Sequence, residues 1–127
     1  MSSVVLDSSA LLAFIQGEPG GEVVAGVVGD ALMSSVNFAE VVTKLVERTG
    51  SLEVARAALG IANVDVVDFD RWQAEQAGLL VRHTRPHGLS LGDRACLALA
   101  MRQAVPAMTA DRVWAKVKLD VEVRLIR

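Results

Sequence analysis

Short apolar runs alternate with longer amphipathic segments along the whole chain, and this alternation is the main structural signal in the sequence. Runs of branched apolar residues that end at a polar position are typical of buried strands. They predict five strands, at residues 3–7, 31–34, 64–69, 106–109 and 121–126.

Between these runs, apolar residues recur at helical spacing and are bounded by capping residues and glycines. Ser8 or Ser9 is placed to cap the first helix, Asp70 to cap a later one, and Gly50 and Gly60 to end two others. The pattern predicts a loop at residues 83–88 and helices at residues 10–16, 21–28, 36–48, 52–59, 72–81, 90–104 and 112–117.

Strands that alternate with helices indicate a parallel sheet with helices on both faces. We therefore expect a three-layer α/β/α sandwich with a mostly parallel central sheet. No repeat, low-complexity tract or linker divides the 127 residues, so residues 1–127 are interpreted as a single domain. Hydrophobic residues make up 52% of the chain, which is enough to build a buried core and argues against disorder.

Three features of the composition predict a cytoplasmic protein. The N-terminus has no basic stretch of the kind that opens a signal peptide, and no apolar run approaches the roughly 18 residues that span a bilayer. The single cysteine, Cys96, excludes an internal disulfide and fits a reducing compartment. The net charge of −2 argues against non-specific coating of nucleic acid, although it does not exclude a nuclease with an acidic site.

Four acidic residues stand where a parallel sheet places its ligands, beyond the carboxyl ends of the strands. Asp7 ends the first predicted strand and Asp111 follows the fourth. Glu40 lies about one turn into the helix after the second strand, and Asp93 lies in the first turn of the helix that begins near Ser90. Asp7 and Asp93 are also embedded in mostly apolar sequence, which suggests that the four carboxylates converge on one pocket.

Each of these acids also has a purely structural interpretation, and taken singly the residues leave both open. Asp7 and Asp111 are placed to cap the helices that follow them. Asp93 forms a capping-box pattern with Ser90, and Glu40 is placed to pair with Lys44 on a solvated helix face.

Convergence of several carboxylates would require a cation. Two carboxylates about 4 Å apart repel each other by roughly 4 kcal/mol at an effective dielectric of 20. Carboxylate oxygens favour a hard ion such as Mg²⁺ or Mn²⁺, whereas Cys96 and the two histidines lack the ligand spacing of a zinc site. A metal ion held by carboxylates favours phosphate chemistry. No glycine-rich phosphate-binding motif is present, which excludes nucleotide binding through such a motif.

Polar and basic residues next to these acids are candidates for supporting roles. Ser9 and Thr109 neighbour two of the acids, and Asn37 lies one turn before Glu40 on the same helix face. Arg94 and Arg112 each directly follow an acid, where they suit an RNA phosphate, a structural ion pair or plain solvation.

The segment 82–88 gathers two arginines and two histidines, which fits either a rim for single-stranded RNA or an ordinary polar loop. Trp72 is open to base stacking or to packing. For Trp114 and Cys96 the sequence favours burial.

Four segments, in order along the chain, carry a family resemblance. They are VVLDSSALLAF around Asp7, SSVNFAEVV around Glu40, LSLGDRACLALA around Asp93 and MTADRVWAKV around Asp111. Each segment is weakly specific alone, but together they resemble the PIN-domain family, and most closely its branch of VapC-type toxins from bacterial toxin–antitoxin modules. The resemblance runs nearly from end to end of the chain.

The resemblance implies an α/β/α sandwich and a metal-dependent endoribonuclease. In it, Asp7, Glu40, Asp93 and Asp111 are the catalytic acids, and they hold Mg²⁺ or Mn²⁺ directly or through water. It further implies hydrolysis of RNA by metal-activated water to leave a 5′-phosphate, a cognate antitoxin protein as partner, and a homodimer.

Two other functions stay open from the sequence. A phosphoacceptor receiver domain has a similar length and topology, but here Asp7 stands alone, Asp68 would have to be the acceptor, and no lysine follows Thr109. The third possibility is a PIN-like binding module without catalysis, which a cleavage assay with added metal would distinguish from the enzyme.

Overall fold

The computed structural model describes residues 3–127, which form five strands, seven α-helices and three short 3₁₀ helices. The strands are β1 (Val4–Leu6), β2 (Ala31–Ser34), β3 (Asp65–Val67), β4 (Ala107–Thr109) and β5 (Val123–Leu125). The helices are α1 (Ser8–Gln16), α2 (Gly21–Ala25), α3 (Ser35–Thr49), α4 (Leu52–Ala62), α5 (Arg71–Leu79), α6 (Val81–Thr84) and α7 (Leu91–Gln103). The 3₁₀ helices cover Val28–Asp30, Arg85–His87 and Arg112–Lys116.

Strand β1 lies at the centre of a parallel sheet with the order β3-β2-β1-β4-β5. Its residue Val5 is aligned with Leu32 of β2 on one side and with Ala107 of β4 on the other. All three residues of β1 are fully buried, because strands flank it on both sides and helices cover both of its faces. The chain therefore leaves the core at the residue after β1, which is Asp7.

Helices cover both faces of the sheet, and alternate side chains of β1 enter different cores. Val4 and Leu6 pack with residues of α1, α3 and α4, whereas Val5 packs with residues of α5 and α7. Trp114 lies wholly buried in the second core. The predicted three-layer α/β/α sandwich is confirmed, and its sheet is parallel throughout the described residues.

Two helical segments differ from the predicted ones for local reasons. The helix predicted to end at Gly60 continues to Ala62, because Gly60 is accommodated in the helix and the left-handed turn falls on Asn63 instead, at φ 51°. The helix predicted at residues 21–28 is only five residues long, since the chain passes at Gly26 into the 3₁₀ helix Val28–Asp30.

The loop predicted at residues 83–88 is also wrong in part, because most of it is helical. Helix α6 ends at Thr84 and the 3₁₀ helix Arg85–His87 follows at once, with Pro86 in its first turn and Gly88 at φ 69° as its cap. Thr84 is fully buried and its hydroxyl donates to the carbonyl of Leu80, so this segment is fixed to the body of the protein. No helix within residues 3–127 has the length and apolar character needed to cross a membrane.

Candidate functional site

Asp7 is held at the carboxyl end of β1 by a full set of hydrogen bonds. Its backbone N–H donates to the carbonyl of Met108 (3.1 Å), which continues the pairing of β1 with β4 by one residue. Its carboxylate accepts from the backbone N–H of Ala10 (2.8 Å) and from the hydroxyls of Ser9 (2.7 Å) and Thr109 (2.6 Å). Asp7 is therefore the N-cap of α1, and the prediction that Ser8 or Ser9 caps this helix is wrong.

The carboxylate of Asp7 is 3% exposed. Burial raises the pKa of Asp7 from 3.8 to about 6, against the hydrogen bonds from Thr109, Ser9 and Ala10, which lower it. The negative charge of Asp93 adds a smaller upward contribution to this pKa. The ionised form of Asp7 is thus costly in the fold, although three donors are aimed at it.

Two hydroxyl groups tie the turn after β4 to the turn after β1. The Ser9 hydroxyl oxygen accepts from the backbone N–H of Ala110 (2.9 Å), and that of Thr109 accepts from the N–H of Asp111 (3.0 Å). Ser9 and Thr109, the candidates for supporting roles beside the acids, thus bond both to Asp7 and to the backbone of the turn after β4. The carboxylate of Asp111 accepts from the N–H of Val113 (3.0 Å) and begins the 3₁₀ helix Arg112–Lys116, with its side chain exposed.

Asp93 lies half-buried in the first turn of α7, where it forms the predicted capping box. Its carboxylate accepts from the N–H of Ser90 (2.9 Å), and its own N–H donates to the Ser90 hydroxyl (3.2 Å). Burial raises the pKa of Asp93 and the bonds to Ser90 lower it, while the charges of Asp111 and Glu40 raise it further. Two other acids are therefore close enough to repel this carboxylate.

Glu40 is held between α3 and α7. The side-chain amide of Asn37 donates from Nδ2 both to Glu40 Oε1 (2.9 Å) and to the carbonyl of Gly92 (2.9 Å). Gly92 itself leaves room for the carboxylate, since a Cβ at this position would lie 2.5 Å from Glu40 Oε2. Asn37 is 1% exposed, and its Oδ1 has no hydrogen-bond partner within the described residues.

The charge of Asp93 interacts with those of the other three acids. It raises the pKa of Asp7, and its own pKa is raised by Asp111 and Glu40. Burial raises the pKa of the Cys96 thiol far above its usual value, and the charges of Asp7, Asp93 and Glu40 add to this rise. Cys96 is fully buried, as predicted, and lies one turn of α7 beyond Asp93.

These carboxylates do not form a ready metal-binding group. Among residues 3–127, no three His, Cys, Asp or Glu side chains stand close enough together to hold an ion as they are. Like charges oppose closer approach of carboxylates. The four acids gather at one edge of the sheet, yet each of them is held by hydrogen bonds from nearby residues of the chain, and Asp7 also by one from Thr109 of β4.

For three of the four acids the structure contains the helix cap that the structural interpretation predicted. Asp7, Asp93 and Asp111 all cap helical segments. Glu40 differs, because it accepts from Asn37 and forms no ion pair with Lys44 in the part of the chain that the structure describes. Capping and a shared site are compatible for Asp93 and Asp111, since a single cap bond leaves other carboxylate lone pairs available, whereas Asp7 already accepts from three donors.

Two of the flanking candidates have structural roles. Arg94 turns away from the acids, and its Nη1 donates to the carbonyl of Ala77 (2.9 Å), which ties α7 to α5. Trp114 is packed in the core, as the sequence favoured. Trp72 is 42% exposed, and the Arg102 guanidinium lies 5.0 Å from the centre of its ring.

The sequence interpretation missed Gly92. A glycine among apolar residues in the first turn of a helix was the available signal, because an unexplained helical glycine often marks a close approach.

The sheet order also counts against the receiver alternative. Asp68 follows the edge strand β3, and β2 separates that strand from β1 and Asp7.

We expect Gly92→Ala to disturb the site without unfolding the protein. The new methyl group overlaps the Glu40 carboxylate, which is the mobile end of a side chain and will rotate away, breaking its bond to Asn37. Thermal unfolding should therefore change little, while the affinity for Mn²⁺ measured by calorimetry should fall.

Gly60→Ala is the matched control, because Gly60 also lies within a helix but has open space around it. This change should stabilise the protein by about 0.5–1 kcal/mol and leave Mn²⁺ binding intact. Equal Mn²⁺ affinity in both variants would contradict the role assigned to Gly92.

Comparison with known proteins agrees with the fold. The sequence model of the family described as PIN domain matches residues 4–119. No curated protein matches the chain in sequence. Among solved structures, a chain of DNA-bound VapBC from Salmonella typhimurium has a TM-score of 0.78 at 17% identity, with 100% of each chain covered.

Two further structures show the same similarity. The Mycobacterium tuberculosis toxin VapC20, described as cleaving the sarcin–ricin loop, has a TM-score of 0.72 at 20% identity over 94% of this chain and 98% of that one. FitAcB from Neisseria gonorrhoeae has a TM-score of 0.70 at 20% identity over 97% of both chains. At these identities the structures establish the fold alone, whereas the family match spans most of the sequence: the chain belongs to the PIN domain family.

Proposed function

We propose that the protein is a metal-dependent endoribonuclease and the toxin of a toxin–antitoxin pair. Asp7, Glu40, Asp93 and Asp111 are its catalytic acids and the ligands of Mg²⁺ or Mn²⁺. The observation that carries the proposal is geometric: Thr109 hydrogen-bonds to both Asp7 and Asp111, and the Glu40 carboxylate lies against Gly92, the residue before Asp93. The four residues come from four separate parts of the chain, and the parallel sheet brings them to one edge.

The residues present fit a hard divalent cation. All four side chains offer carboxylate oxygen, the donor that Mg²⁺ and Mn²⁺ prefer. A buried carboxylate whose pKa is raised by burial gains most from an added positive charge, and Asp7 is in this position. The orphaned Oδ1 of Asn37, beside Glu40, is a further acceptor suited to a cation or to a water on it.

The protein's own part in the reaction is to orient the acids. When bound, the cation lowers the pKa of a water and stabilises charge on phosphoryl oxygens. Ser9 and Thr109 fix the rotation of the Asp7 carboxylate, and Asn37 fixes that of Glu40. Asp111, on the exposed turn, is the acid that an incoming phosphodiester meets first.

RNA as the substrate and toxicity as the role rest on the resemblance of the four motifs and on the fold. The similar structures include a toxin described as cleaving the sarcin–ricin loop, one described as a toxin–antitoxin complex and one described as a member of a family of toxin–antitoxin systems. A cleft of about 480 Å³ between α1 and α3 runs from Glu40 past Thr43 to Lys44 and Glu47, and it is our candidate seat for an antitoxin segment. The homodimer and the cytoplasmic location stay predictions, the former to be measured by light scattering.

Incubation of the purified protein with total RNA tests the proposal. With Mg²⁺ or Mn²⁺ we expect cleavage at defined positions with 5′-phosphate ends, mapped by primer extension and by ligation of the downstream fragments. A chelator should stop cleavage, and a return of the ion should restore it. Undiminished cleavage in the chelator would contradict metal dependence, and no cleavage with either ion would favour the non-catalytic module.

A further inference from the structure

Two short segments hold a disproportionate share of the positive charge. Five of the 13 Lys and Arg residues lie within residues 82–88 and 112–118, and neither segment contains Asp or Glu. None of these five forms an ion pair with any residue in 3–127, whereas Arg71, Arg102, Arg124 and Arg127 all do. We call them the basic rim: Arg82, Arg85, Arg112, Lys116 and Lys118.

The two segments lie side by side. The 3₁₀ helix Arg85–His87 packs against the 3₁₀ helix Arg112–Lys116. His83 and Lys118 line one and the same cavity. Each segment is also anchored by a buried side chain, Thr84 in the first and Trp114 in the second, so the rim is a fixed surface.

One end of the basic rim borders the acids. Arg112 directly follows Asp111, and the first segment leads through Gly88 and Ser90 into the turn of α7 that bears Asp93. Within residues 3–127 none of the five is ion-paired, although Asp111 precedes Arg112 and Asp120 lines the cavity of Lys118, so they contribute no stability through pairing. Their placement is explained if an anion longer than one phosphate lies across both the acids and the rim.

A small cavity in the rim indicates what kind of anion fits. Arg82 and Arg85 line a cavity of about 370 Å³ together with the apolar side chains of Val81 and Pro86. Guanidinium planes and apolar walls suit the face of an unstacked base, and unpaired RNA offers such bases together with its phosphates. An acidic peptide would use the charges but not this cavity.

We propose that the basic rim binds single-stranded RNA beside the cleavage site, through two or more backbone phosphates, with one unstacked base in the cavity between Arg82 and Arg85. The inference rests on the proposed function for what happens at the acids, but the binding itself needs neither metal nor cleavage. Arg94 is excluded from the rim because it bonds to Ala77.

Binding of a labelled 12-nucleotide single-stranded RNA, measured by fluorescence anisotropy in a chelator from about 0.05 to 0.3 M salt, tests the rim. Two double variants, Arg82→Gln with Arg85→Gln and Arg112→Gln with Lys116→Gln, each remove two charges. Arg48→Gln with Arg56→Gln is the matched control, because both arginines are exposed on α3 and α4 outside the rim. Thermal unfolding verifies that all variants are folded.

Each lost phosphate contact lowers the slope of log affinity against log salt by about 0.7 for a single strand. We therefore expect each rim variant to lower the slope by about 1.4 and to weaken binding roughly 20-fold at 0.1 M salt, with the control within about twofold of the unaltered protein. An equal loss of RNA affinity in the rim variants and in the control variant would overturn the proposal. So would displacement of the RNA by poly-glutamate as readily as by poly-uridine, which would assign the rim to an acidic peptide.

The outcome is independent of the proposed nuclease. Loss of binding in the rim variants, together with no cleavage by the unaltered protein, would support the rim and contradict the nuclease. Metal-dependent cleavage by the unaltered protein, together with undiminished RNA binding by the rim variants, would support the nuclease and contradict the rim.

Discussion

We expect Asp93→Asn to abolish the proposed metal-dependent RNA cleavage and to leave the protein folded. Asp93 is a ligand of the proposed metal site whose charge interacts with those of the other three acids, so its loss removes both a ligand and that shared negative charge. Residues that merely support a metal ligand cost about 10- to 100-fold in activity when changed, and we expect a loss of more than about 100-fold here. The rate of cleavage at a mapped position is the measurement.

The fold tolerates this substitution for a local reason. The Asn side-chain oxygen can still accept from the N–H of Ser90, and the second bond of the capping box uses the backbone of residue 93. Loss of the charge also removes the repulsion from Asp111 and Glu40, so the unfolding temperature should stay the same or rise.

Asp68→Asn is the matched control for charge and residue type. Asp68 is exposed beyond the edge strand β3, and the variant should cleave RNA normally. Full cleavage by Asp93→Asn would remove the proposed site, and loss of cleavage in both variants would point to a general effect of charge.

The metal-free protein loses stability as the pH rises from about 4 to about 6. The pKa of Asp7 is raised from 3.8 to about 6 in the fold, so the folded state binds this proton more tightly than the unfolded state. Stability is therefore highest where Asp7 is protonated, and it falls as ionisation proceeds through the folded pKa. A shift of this size corresponds to about 3 kcal/mol, fully lost above about pH 6.

Asp7→Asn isolates this effect, because Asp93 has a pKa shifted in the same direction and contributes to the total. We expect the difference in unfolding free energy between the two proteins, measured by urea denaturation in a chelator, to move in favour of Asp7→Asn between pH 4 and pH 7. Millimolar Mg²⁺ should stabilise the unaltered protein above pH 6 and have little effect on the variant. A difference that does not vary with pH would contradict the role of burial.

The fold was predictable from the sequence because its signals are local. Each buried strand is a short branched run, and the rule that parallel strands present their carboxyl ends together brought Asp7 and Asp111 to one edge. Glu40 lies near the same edge because α3 begins where β2 ends. Asp93 does so because it lies at the start of α7, the helix that leads back to the beginning of β4. None of this required knowledge of side-chain contacts.

What the sequence could not predict depends on neighbours distant in the chain. Gly92 reads as an ordinary helix residue until the carboxylate of Glu40, 52 positions earlier, is placed against it. Arg94 looks like a partner for RNA until α5 presents the carbonyl of Ala77. Gly60 predicts a helix end because glycine is common after the last residue of a helix, yet it is Asn63 that makes the left-handed turn.

The bond between Thr109 and Asp7 joins residues 102 positions apart, and β4 must lie beside β1 before it can form. A chain that ends before β4 therefore leaves Asp7 without this donor and without the strand that walls its pocket. The acid pocket is thus a late product of biosynthesis, complete only after β4 has followed β1 out of the ribosome. A ribosome that translates this message must add 102 residues after Asp7 to include Thr109.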